Sequence, residues 1–152
     1  MYVGVLTIHS WLRWAALVLA VGATLNALRR DSDVSEHMPG RYWDTYLMLA
    51  LDLQVLFGLT LYFGLSPYTT QAFDNFGEAM RNPGLRFWAI QHVAAMAAAV
   101  LLVRIGRALA VSADSGPVRR RWRLIFFALT TATIVAGIPW PGLQIGRPLL
   151  RF

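Results

Sequence analysis

The chain contains no cysteine. That absence excludes disulfides, thiolate-held iron–sulfur clusters, covalent c-type haem attachment and a cysteine nucleophile together. Charge is also scarce: 14% of the 152 residues are charged against 57% hydrophobic, and mean hydropathy is +0.48. So few charges cannot cover a water-facing surface, and the excess apolar area is expected to face lipid. No phosphate-binding motif is present, and Gly58, Gly64 and Gly106 read as close-packing positions inside apolar runs. No internal repeat relates the two halves, which disfavours a transporter built from inverted repeats. The formal charge of +6 does not point to nucleic acid, because the arginines sit between apolar runs, where basic residues set membrane orientation.

What is present is four apolar runs, at residues 2–28, 42–65, 85–111 and 120–138. About 20 such residues cross a hydrocarbon core of roughly 30 Å. The first run ends at Arg29 and Arg30 and lacks the basic leader and small-residue cleavage site of a secretory signal, so it is expected to be retained. The second stops at Ser66-Pro67-Tyr68, the third follows Asn82-Pro83-Gly84, and the fourth is closed by Pro139-Trp140-Pro141. Arg104 and Arg107 can snorkel from the end of the third. The tail at 142–152 is short and irregular. The expectation is a single all-α transmembrane domain over residues 1–152, an up-down four-helix bundle.

The connections one–two and three–four hold nine arginines (Arg29, Arg30, Arg41, Arg104, Arg107, Arg119, Arg120, Arg121, Arg123), against Arg81, Arg86, Arg147 and Arg151 on the other side. The positive-inside rule then puts both termini on the periplasmic side of a bacterial inner (cytoplasmic) membrane. Trp11, Trp43, Trp88, Trp122 and Trp140 fall near span ends as an aromatic belt, with Trp14 deeper.

Function is sought at the polar groups inside the runs, His9, Arg13, Asp52, Gln54, Gln91 and His92, because an ionisable group at bilayer depth is costly unless paired or solvated. His9 and His92 each lie about seven residues inside the outer start of their runs, roughly 10 Å deep. Helices one and three are diagonal in an up-down bundle, so the two imidazoles can face each other across its centre, the geometry of a bis-histidine haem b. The alanines at 94, 95 and 97–99 around Met96 would leave room for a flat macrocycle, with Arg81 or Arg86 to pair its propionates. The plainer reading makes both histidines interhelical hydrogen-bonding residues. Arg13 and Asp52 are expected as a structural ion pair near the midplane rather than a proton relay. Gln54 and Gln91 extend that network or meet a quinone carbonyl. Ser10 beside His9 is no catalytic pair, since adjacent helical residues point apart, and His37 is expected to be solvated.

The segments His9-Ser10-Trp11-Leu12-Arg13-Trp14, residues 53–63, Ser66-Pro67-Tyr68, Arg86-Phe87-Trp88-Ala89-Ile90-Gln91-His92, Ile105-Gly106-Arg107 and Ile138-Pro139-Trp140 resemble, in order, a group of small four-helix bacterial membrane proteins commonly labelled cytochrome b-like. The resemblance implies His9 and His92 as axial ligands of haem iron and a role in membrane electron transfer with a quinol. Members of that group tend to carry Glu-His in the third helix where this chain has Gln91-His92, which weakens a proton-coupled role for the pair. The alternative class is a haem-free accessory or structural subunit of a larger respiratory or photosynthetic complex. An enzyme acting on a tetrapyrrole or lipid is third, because few groups are available for chemistry.

Overall fold

The computed structural model describes residues 1–28, 41–143 and 145–149, without the side chain of Arg41. Arg29, Arg30, His37 and Arg151 lie outside the described residues. All regular structure among them is helical: α1 (Tyr2–Leu28), α2 (Arg41–Thr60), α3 (Pro67–Asp74), α4 (Phe76–Arg81), α5 (Pro83–Arg86), α6 (His92–Val111) and α7 (Gly116–Gly137). Single π-helical turns extend α2 (Leu61–Leu65) and precede α6 (Phe87–Gln91).

The four long helices owe their packing to one repeat. In α1 the series His9, Arg13, Ala16, Ala20, Ala23, Ala27 advances by alternating steps of four and three, and its last four members are buried. Asp44, Leu47, Leu51, Gln54, Gly58 and Leu61 do the same on α2, as do His92, Met96, Ala99, Val103, Gly106 and Ala110 on α6. On α7 the stripe is Arg120, Arg123, Phe127, Thr130, Ile134 and Gly137. A mean spacing of 3.5 residues keeps each stripe facing its neighbours along the whole helix. The helices form a ring in the order α1, α2, α6, α7, with α1 against α2 and α7 and α6 against α7 and α2.

Direction alternates around that ring. Trp43 at the start of α2 lies over Gly22 near the end of α1, where any Cβ would overlap the indole. Arg120 at the start of α7 donates to the Ala27 and Leu28 carbonyls that end α1 (3.0 and 2.7 Å), meeting both the orphan carbonyls and the negative pole of that helix.

Large apolar side chains turn outward, among them Val18, Val21, Leu25, Leu49, Leu56, Phe63, Leu101 and Leu129. Alanine makes up much of the inside, around a few larger side chains such as Leu47, Val103 and Phe127, while most large apolar side chains face outward, the pattern of helices that pack in lipid. Tyr2–Leu28, Tyr42–Leu65 and Pro83–Val111 are each long and apolar enough to cross a membrane. The fourth expected span forms as α7 but falls short of that standard, because Arg119, Arg120, Arg121 and Arg123 occupy its first two turns. The simple four-helix bundle is also elaborated: α3, α4 and α5 fill the connection between α2 and α6 and cluster at the end where the π-turns lie, sealed by buried Ala72, Ala79 and Ala89.

Candidate functional site

The two π-turns face one another at this end. Each inserts a residue into a helix and so shifts the phase of the residues beyond it, a local distortion common near functional sites. Tyr62 in the first donates its hydroxyl to Ala89 O in the second (2.7 Å), and Thr69 Oγ1 donates to Tyr62 O (2.7 Å). The second turn ends at Gln91, and the phase leaves Gln91 exposed on the outer surface while His92 opens the inner stripe of α6.

The stripes place four residues at one level: His9 on α1, Gly58 on α2, His92 on α6 and Gly137 on α7. Histidines occupy one diagonal of the ring and glycines the other. The His9 and His92 rings lie with centroids 6.3 Å apart and planes at 74°. Gly58 sits against His9, where a Cβ would come within 3.2 Å of Cε1. A Cβ at Gly137 would overlap Met96 Cε, so both glycines are needed for the side chains beside them.

His92 Nδ1 is 2.8 Å from Gly137 O. A carbonyl only accepts, so Nδ1 carries the proton and Nε2 keeps its lone pair. His9 Nε2 lies 3.3 Å from Gln54 Nε2, while His9 Nδ1 and Gln54 Oε1 are buried without a hydrogen-bond partner among the described residues. Two such atoms on neighbouring residues mark a place where a water, ion or ligand belongs. They line a cavity of about 190 Å³ whose walls include Ser10, Arg13, Tyr62, Trp88, His92, Met96 and Arg147. The cavity reaches the surface between α2 and α6, past Val55, Leu59, Val93 and Ala97.

The other expected residues fall differently. Asp52 does not pair with Arg13: it lies outside the buried stripe of α2 and bonds Arg104 of α6 at 2.5 Å, both side chains 49% exposed. Gln54 is two positions on and faces inward, which turns Asp52 away by about 200°. Arg13 instead donates from Nη2 to Leu149 O (2.6 Å), joined there by Trp14 Nε1 (2.9 Å). Arg81 and Arg86 are exposed and outside the cavity wall, Arg86 reaching Met80 O (3.1 Å). The arginines on the wall are Arg13 and Arg147, the latter stacked over Tyr68 at 4.4 Å and near Trp88 at 5.5 Å. Of the alanines expected to make room, Ala97 lines the cavity, Ala99 is core and Ala94 is exposed.

Three features of the structure go beyond the sequence expectations. Gly58 and Gly137 admit the side chains of His9 and Met96 against their backbones, and a signal for them exists in the sequence, since they share the heptad phase of the two histidines. Arg147 comes from the tail, whose path no periodicity reveals. At the opposite end Asp44, near the start of α2, forms a two-pronged pair with Arg123 (2.7 and 3.1 Å), and Arg123 also stacks on Phe127 at 5.6 Å.

The sequence matches no protein-family profile, no curated protein and no solved structure.

Proposed function

We propose that this chain is a membrane cytochrome b-like protein in which His9 and His92 hold a haem b near the outer face of the bundle for electron transfer. The observation that carries the reading is the 6.3 Å between ring centres across the α1–α6 diagonal. Two imidazoles on one metal at about 2.0–2.1 Å per bond have ligating nitrogens about 4 Å apart and ring centres roughly 6 Å apart. The donor set also fits: a neutral imidazole with Nδ1–H held by a backbone carbonyl is the usual state of a metal-ligating histidine. The orphaned His9 Nδ1 and Gln54 Oε1, and the two side-chain-free positions on the other diagonal, agree with it.

A cavity of about 190 Å³ is below the roughly 300–1,000 Å³ of pockets that enclose a drug-sized ligand, so a macrocycle would extend into the opening between α2 and α6. A haem bound there would supply one-electron chemistry. The chain's own part is to present two neutral imidazoles, to exclude water with apolar helix faces, and to offer Arg13 and Arg147, in place of Arg81 and Arg86, as cations on the wall.

The host is then a bacterial inner membrane with both termini periplasmic, in keeping with nine arginines against four. α7 completes the crossing: Leu124 to Gly137 is free of charge over fourteen residues, about 21 Å of helix, and its arginines reach the cytoplasmic headgroups. The quinol remains the expected donor.

The absorption spectrum of the purified chain tests this. A Soret band in the unaltered protein that is lost in both His9→Ala and His92→Ala is the expected result. Colourless protein from haem-replete cells rejects the cytochrome, leaving His9 and His92 as an interhelical contact and the chain as an accessory subunit of a larger membrane complex.

A further inference from the structure

Where α7 ends, the sequence runs Gly137-Ile138-Pro139-Trp140-Pro141. In a continuing helix the carbonyls of Val135 and Gly137 would accept from the N–H groups of residues 139 and 141. Both are proline, and neither has an N–H. Pro139 also forces the residue before it out of the helical region, and Ile138 is extended at φ −76, ψ 131. Val135 O lies toward the outside and takes the Ile138 N–H at 3.3 Å instead, but Gly137 is buried, and a buried carbonyl without its helical donor must find another. That donor is His92 Nδ1, 2.8 Å from Gly137 O, while Trp140 Nε1 adds a second bond to Val135 O at 2.9 Å. Gly137 itself has no room for a side chain against Met96 and Ala95, so this carbonyl approaches α6 as closely as the backbone allows.

We propose that Pro139 and Pro141 are positioning residues for His92: Pro141 withholds the N–H that a continuing helix would send to Gly137 O and Pro139 turns Ile138 out of the helix, so Gly137 O is reserved for Nδ1–H, which fixes the imidazole in one tautomer with the Nε2 lone pair presented to the cavity. The inference deepens the axial-ligand reading and rests on it for its purpose. It assigns the two prolines a task separate from ending the helix, since a helix end could equally leave its carbonyls to water. Trp140 bonds the carbonyl two residues earlier and holds the turn against Trp14, ring centroids 6.4 Å apart, without touching His92's acceptor.

The test reads the tautomer directly. Full-length chain labelled with ¹⁵N-histidine, expressed under haem limitation and held in lipid nanodiscs, is compared with Pro139→Ala/Pro141→Ala and with Trp140→Phe by long-range ¹H–¹⁵N correlation, His9→Gln and His37→Gln serving to assign the signals. The expected outcome is a single Nδ1–H form for His92 in the unaltered chain, loss of that form in the double-proline variant, and its retention in Trp140→Phe. Should the double variant fail to fold, Pro141→Ala alone returns only the missing N–H and is expected to shift the tautomer in the same direction to a smaller extent. A mixed or Nε2–H His92 in the unaltered chain overturns the proposal. So does an unchanged tautomer in folded proline variants, or an equal loss in Trp140→Phe. The Soret measurement on haem-replete protein is separate: a colourless chain with the Nδ1–H tautomer defeats the cytochrome and leaves this inference standing, and a haem-binding chain with a mixed tautomer does the reverse.

Discussion

At the scale of single residues, the two ion pairs contrast. Asp44 and Arg123 have side chains only 9% and 12% exposed and meet through two parallel hydrogen bonds, the geometry in which a guanidinium and a carboxylate bind best. Removing one member leaves the other charged in an apolar setting, and that costs about 3–5 kcal/mol. Asp44→Ala is therefore expected to lower the midpoint of unfolding strongly in a lipid-like amphiphile, whereas Asp44→Leu/Arg123→Met recovers most of the loss. Equal stability of the single and double variants would remove the pair from any structural role. Asp52 and Arg104 sit on the outside, where exposure in a bilayer means lipid rather than water. Their pairing neutralises two charges that neither helix could carry there alone.

Among elements, α6 and α7 approach closely where a Cβ at Gly106 would overlap Phe126 Cβ. That atom is fixed to the backbone and cannot move aside, so Gly106→Ala must push the helices apart. The expected cost is about 1–3 kcal/mol, read as a lower unfolding midpoint, and a cost near zero would mean that the helices are not held in this contact. How much of the site was legible in sequence also divides at this scale. Depth along a helix follows from counting residues, and it brought His9 and His92 to one level correctly. Facing requires the phase of the buried stripe: counted by depth alone, Asp52 meets Arg13, but the series Asp44, Leu47, Leu51, Gln54 shows that Asp52 is off the inner face. The π-turn before α6 resets phase without any proline or glycine to announce it, which is why Gln91 could be taken for an inward residue. The tail's contact with Arg13 and Trp14 depends on tertiary folding alone and has no local signature.

For the whole molecule, the absence of cysteine makes topology directly measurable. Single cysteines introduced at Ala113, in the α6–α7 connection, and at Gln71, on α3, lie at opposite ends of the bundle. A membrane-impermeant maleimide added to intact cells is expected to label position 71 and to reach 113 only after the inner membrane is opened. The reverse pattern would place the histidine level on the cytoplasmic side and refute the orientation drawn from the arginines. The stripe of Ala16, Ala20, Ala23 and Ala27 bears on how such measurements are made. Along this stripe α1 offers its neighbours methyl groups, with Leu17, Leu19 and Thr24 at the edges, and an acyl chain is as apolar as that surface. The stripe is covered by the neighbouring helices, yet burial there gains little over contact with lipid, so close van der Waals fit has to hold α1 in the ring. An amphiphile that disturbs that fit is expected to alter the spacing of the ring, and with it the distance separating His9 from His92.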